Sequence, residues 1–157
     1  MVSPVEIDVL IDGLEVPLAG DWLRGIVRRA LDAEGVSPAV EVGLVVTTEE
    51  KVRKLNRTYR GIDQPTDVLA FATEEGDEAL FVNPPDGTRH LGEVIISYPQ
   101  AVAQAAEQQH PVEREVALVI VHGVLHLLGY NHARPEDERR MRAKEAAILS
   151  IIEGGAA

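Results

Sequence analysis

Val116-Ala-Leu-Val-Ile-Val-His122-Gly-Val-Leu-His126-Leu-Leu-Gly129-Tyr130 is a run in which only the two histidines and the tyrosine carry polar side-chain atoms. A helix that is apolar on every side belongs in the middle of a fold. The run therefore predicts a central helix over about residues 111–128. Pro111 opens it, and Glu113 and Glu115 lie near its electropositive N-terminal end. Within that helix the imidazoles at 122 and 126 are four residues apart, so they lie on one face and can share an ion.

Working outward, residues 5–11 alternate apolar and polar and read as a first strand. Asp21 is placed to cap a helix over about 22–34, with Trp22, Ile26, Val27, Ala30 and Leu31 as its apolar stripe. Residues 40–46 form a second strand. Thr47 or Thr48 then caps a short helix reaching about residue 59, whose Val52, Leu55 and Tyr59 should face the core. A third strand spans 66–72. Residues 73–90 are acidic, then rich in Pro, Gly and Asn, and read as a mobile excursion able to cover a site. A fourth strand follows at 91–97, and Pro99 opens a helix ending near 109. After the central helix, Pro135 starts a last one with Met141, Ile148 and Ile152 as its buried stripe. Strands interleaved with helices give an α/β (α+β) layered fold with a mixed sheet of about four strands and about five helices. Residues 1–157 are expected to form a single domain. Strand order does not follow from the pattern.

The chain has no cysteine, so there is no disulfide partner and no thiolate ligand; a transition metal must be held by imidazole and carboxylate. Neither a signal peptide nor a run of about 20 apolar residues is present, so a cytoplasmic protein without a membrane partner is expected. The net charge of −11 argues against binding nucleic acid over the whole surface. Against that background Lys51, Arg53, Lys54, Arg57 and Arg60 stand out, with no acid between 51 and 60. They are either a solvated helix face or a phosphate-binding surface.

Three of the five histidines fall within residues 122–132. Gly129 can adopt the left-handed conformation that ends a helix and turns the chain. Such a turn lets His132 join His122 and His126. Three neutral imidazoles with one open position are the ligand set of a catalytic zinc, whereas structural sites are usually closed by four protein ligands. The spacing His-x3-His-x2-Gly-x2-His is that of the metzincin peptidases. In those enzymes a glutamate general base follows the first histidine. Here that position is Gly123, so the zinc architecture fits and the peptidase chemistry does not. His90 and His110 remain unassigned.

The string His122-Gly-Val-Leu-His126-Leu-Leu-Gly-Tyr-Asn-His132 resembles the signature of the bacterial YbeY family of rRNA maturation factors and metal-dependent endoribonucleases. Two further stretches resemble it as well: Leu55-Asn-Arg-Thr-Tyr-Arg60-Gly-Ile-Asp-Gln-Pro-Thr-Asp-Val-Leu-Ala-Phe71 and Leu91-Gly-Glu-Val-Ile-Ile-Ser97. The resemblance implies a zincin-like site on the central helix, with one Zn2+ on His122, His126 and His132. It also implies Arg60 as the functional basic residue, acting with His122 in catalysis. The implied activity is zinc-dependent, single-strand-specific cleavage in ribosomal RNA maturation, at the 3′ end of the small-subunit rRNA, and in ribosome quality control. Ribosomal RNA, the small ribosomal subunit and assembly factors are the implied partners. Lys51, Arg53, Lys54 and Arg57 would then contact RNA phosphates. The sequence departs from the family at Asn131, where Asp is common; an Asp there could orient a ligand imidazole. The alternatives are a zinc metallopeptidase or other metallohydrolase, and a non-catalytic ribosome-assembly factor with structural zinc.

Overall fold

Val40, Val42, Leu44 and Val46 all turn to one side of β2 (Val40–Thr47) and are buried there, so alternation along this strand sets the main core face of the sheet. In the computed structural model, which describes residues 5–36, 39–72, 89–131 and 133–154, β2 lies between β1 (Glu6–Ile11) and β4 (Arg89–Ser97) and is parallel to both. The short β3 (Val68–Ala72) runs antiparallel to β4 at the edge, giving the order β1-β2-β4-β3. The sheet is mixed and four-stranded, and helices alternate with it as expected.

β4 begins two residues before the expected strand, so Arg89 and His90 belong to the sheet. His90 Nδ1 lies 3.0 Å from Glu41 Oε1 of the neighbouring strand. The rest of the predicted excursion, residues 73–88, lies outside the described residues. Register slips once in β4. Glu41 pairs with His90 and Val42 with Gly92, leaving Leu91 as an extra residue. The resulting bulge puts Leu91 in the same core as Val94 and Ile96, which strict alternation would forbid. Gly92 is required there. Its φ is +131°, and a Cβ would collide with the Phe71 carbonyl oxygen and meet Leu127 Cδ2 at 3.0 Å.

The main core joins β1, β2 and β4 to α1 (Gly20–Ala33), α3 (Tyr98–Gln108), α4 (Val112–Leu127) and α5 (Pro135–Gly154). Ile120, Val124 and Leu125 of α4 have no exposure worth the name, as a helix apolar all round requires. Met141, Ile148 and Ile152 are the buried stripe of α5, joined by Leu149. Asp21 does not cap α1. The helix starts one residue earlier, at Gly20, and Asp21 sits in the first turn bound to Arg24. Trp22 is only partly buried, and Leu23 takes the core position.

The opposite face carries α2 (Glu49–Arg60), with Val52 packed on Leu69 and Ile95. Thr48 caps it, its hydroxyl accepting from the Lys51 amide. Tyr59 corrects the sequence pattern: it is 67% exposed rather than in the core. The last turn of α2 lies by the edge strand, where Tyr59 meets Phe71 edge to face, with ring centroids 5.6 Å apart. Asn56 occupies the inward position instead, its amide donating to the Gln64 carbonyl at 3.0 Å. Among the described residues no helix is long and apolar enough to cross a membrane.

Candidate metal centre

The C-terminal half of α4 places two imidazoles side by side. His122 and His126 have ring centroids 4.7 Å apart at 72°, and their Nε2 atoms approach to 3.1 Å. Two imidazole nitrogens about 2.0–2.1 Å from one tetrahedral ion would be about 3.3 Å apart, so this pair fits two corners of such a site. His122 is fixed from behind by α5, where Glu145 Oε1 binds its Nδ1. Among the described residues no three His, Asp or Glu side chains converge to hold an ion. His132, the third expected ligand, lies outside them.

The turn that precedes His132 forms as the glycine predicts. Gly129 has φ +101°, its amide donates to the His126 carbonyl at 3.0 Å, and the Tyr130 amide reaches back to the Leu125 carbonyl at 3.0 Å. These two bonds are the Schellman ending of a helix, and they reverse the chain at the end of the histidine face. Asn131 Oδ1 accepts from the Ala133 amide at 3.0 Å, shaping the loop. The carboxylate that binds the His122 imidazole comes from position 145.

A tyrosine locks this turn to the body of the fold. Tyr130 Oη donates to Glu34 Oε1 at 2.6 Å, and Lys144 Nζ lies 3.4 Å from Glu34 Oε2. The bond to Glu34 comes first, and burial second, in raising the phenol above its usual range. A raised folded pKa means the bond stabilises fully below the unfolded value near 10 and is lost as pH rises through the higher folded value. Tyr130→Phe should therefore cost about 1.5 kcal/mol at neutral pH. Denaturant melts should show the gap between the two proteins closing above pH 10. A gap that persists unchanged at high pH would assign the loss to packing.

Arg60 reaches the same cleft from the other side of the sheet edge. Gly61, at φ +72°, ends α2 immediately after it. Its guanidinium donates from Nη2 to the Ala70 carbonyl at 2.6 Å and lies 5.1 Å from the Phe71 ring centroid. Arg60, His122 and His126 line one cleft of about 370 Å³, together with Asn56, Thr66 and Asp67. Gly123 forms part of its wall.

The other basic residues of α2 divide into two kinds. Lys51 is paired with Asp12, and Arg53 Nε donates to Asp63 Oδ1 at 2.9 Å, holding the Asp63 carboxyl below its usual range. Among the described residues no ion pair holds Lys54 or Arg57. His110 stands apart from the cleft, its Nε2 lying 2.7 Å from Oε1 of the buried Glu115.

Glu145 was not singled out by the sequence pattern, yet a signal was present. It lies four residues after Met141 and three before Ile148, inside the buried stripe of α5. A carboxylate at a core position requires a partner. Asn56 carried the same signal, three residues before Tyr59 and four after Val52 on the inner face of α2.

The family model described as endoribonuclease YbeY matches residues 14–153. A protein from Roseiflexus castenholzii named endoribonuclease YbeY is 46% identical over 151 residues, covering 92% of this chain and 94% of the relative. One of the same name from Roseiflexus sp. strain RS-1 is 52% identical over 127 residues, covering 80% and 79%. The solution structure of TM1509 from Thermotoga maritima superposes with a TM-score of 0.62 at 24% identity, covering 95% of this chain and 90% of that one. At that identity the likeness speaks to the fold.

Proposed function

This chain belongs to the endoribonuclease YbeY family, and from that membership we propose that it is a zinc-dependent endoribonuclease that cuts single-stranded RNA in ribosomal RNA maturation. Its targets on this reading are the 3′ end of small-subunit rRNA and defective ribosomes, within the cytoplasm. The observation that carries the proposal is the meeting of His122, His126 and Arg60 around one cleft. His132 completes the ligand set by its spacing.

A zinc ion on these imidazoles would supply Lewis acidity and a water molecule of lowered pKa. What the chain itself supplies is position and charge. The α4 helix holds His122 and His126 with their Nε2 atoms converging. Arg60 brings a permanent cation to a site where a phosphodiester gains negative charge as it is cleaved. One N–H is committed to Ala70, and among the described residues no other hydrogen-bond acceptor holds the rest, which can meet phosphate oxygens. Lys54 and Arg57 extend the basic surface along α2. Lys51 and Arg53 contribute less, because Asp12 and Asp63 already engage them.

A metallopeptidase lacks support at the one position where its chemistry needs a carboxylate, since Gly123 stands there. A purely structural metal would not call for a guanidinium in the same cleft.

The test is cleavage of unstructured RNA by ribonuclease-free protein. Chelation should abolish it, and added zinc should restore it, with no turnover of unstructured peptides. Arg60→Ala should lower the rate roughly a hundredfold while zinc content is unchanged. Cleavage that survives chelation would overturn the proposal. An Arg60 variant that loses its zinc would move that residue from chemistry to structure.

A further inference from the structure

We propose that Glu145 is the positioning residue of the metal site: it holds His122 through Nδ1 and thereby presents Nε2, with its lone pair, to the ion. This inference rests on the metal-site reading above and adds a residue from a different helix to it.

Three observations converge on Glu145. First, its Oε1 binds His122 Nδ1. An ionised carboxylate can only accept, so Nδ1 must carry the proton. In a neutral imidazole the other nitrogen is then bare, which is the form a metal needs. Second, that other nitrogen is the one that faces His126, with Nε2 atoms 3.1 Å apart. The two ends of the His122 ring thus have different tasks, and Glu145 assigns them. Third, the placement of Glu145 is unusual for a surface helix. Its side chain is 14% exposed, against 75% for Arg142 and 46% for Lys144 nearby on α5. It interrupts the buried row of Met141, Ile148 and Ile152. A carboxylate held so far from water costs stability unless a partner offsets it, and His122 is that partner.

The contact also joins α5 to α4 at the site. A second cleft, of about 360 Å³, lies on this side of His122 and is lined by Glu138, Met141, Arg142 and Glu145. His122 therefore stands as a wall between two hollows, and Glu145 holds the side of its ring turned away from His126. Without Glu145 the imidazole is freer to rotate and to exchange tautomers, and part of the ligand population would present N–H to the ion.

Zinc affinity and the His122 tautomer test this without recourse to activity. Glu145→Ala should weaken zinc binding about 10–100-fold, measured by competition with a chromophoric chelator. Glu145→Gln should recover most of that loss, because its amide oxygen accepts the same bond. In metal-free protein, long-range proton–nitrogen NMR should show His122 protonated at Nδ1 in the wild type and shifted toward Nε2 in Glu145→Ala. A purely structural contact predicts the opposite pattern: a lower melting temperature in Glu145→Ala with zinc affinity within twofold of wild type. That pattern, or a wild-type His122 protonated at Nε2, overturns the inference. A wild-type chain that binds no zinc overturns the metal site itself, which is a separate failure.

Discussion

His126→Ala protein should fold, lose its zinc and cleave RNA roughly a thousandfold more slowly than wild type, or not at all. His126 is the sharper probe of the two imidazoles on α4. Its ring is half-buried beside the cleft, and its Nε2 meets His122 Nε2. His122→Ala should abolish cleavage as completely, but with a cost to stability, because it also strips the partner from the largely buried Glu145. The two variants therefore separate chemistry from folding. Zinc content, melting temperature and cleavage of unstructured RNA are the three measurements. A His126→Ala protein that keeps its zinc and a tenth of its activity would remove this imidazole from the ligand set.

Most of what places these imidazoles was legible in the residues. The apolar run around 116–125 required a buried helix, and Gly129 required a reversal after it; both are present. The alternation of β2 and the Thr48 cap of α2 were equally local, and local patterns report local structure. What the pattern missed depends on contacts between elements. Tyr59 fits the apolar spacing of α2, yet among the described strands β3 is the outermost beneath that turn. No periodicity within α2 can show where its neighbour stops. The strand order β1-β2-β4-β3 is of the same kind, since β3 is placed outside β4 by pairing between strands. The Glu145 contact spans twenty-three residues and joins two helices. It was visible as a misplaced charge, but not as a partner of His122.

Charge shows the same limit. Five cations in ten residues looked uniform in the sequence, and the fold divided them. Asp12 follows the end of β1 and pairs with Lys51, whereas Asp63 in the turn after α2 pairs with Arg53. Both pairs are exposed, and such pairs contribute little to stability. Of the five cations, Arg60, the last residue of the helix, is the one that lines the cleft among the described residues.

Gly123 is the position where function and packing meet, and installing the absent glutamate should show which of the two governs it. A Cβ at 123 would stand 2.5 Å from Val94 Cγ1, 3.1 Å from Val94 Cγ2 and 3.3 Å from Val68 Cγ2. Val94 is fully buried and β-branched, so it cannot swing aside. The absence of a side chain lets α4 lie directly on β3 and β4, which brings His122 and His126 to the cleft that Arg60 enters. Gly123→Ala gains about 1 kcal/mol of helix propensity but incurs an overpacking cost of about 1–3 kcal/mol, so a net loss of stability is expected. Gly123→Glu adds a buried carboxylate and should not reach the native fold, let alone gain peptidase activity. Pairing Gly123→Ala with Val94→Ala removes the two nearest of the three methyl groups that the new Cβ meets. The double variant should be more stable than the sum of the single losses predicts, by roughly 0.5–3 kcal/mol in a double-mutant cycle. Additive losses, or a Gly123→Ala protein as stable as wild type, would show that the helix does not need its glycine and that the missing glutamate must be explained by chemistry alone.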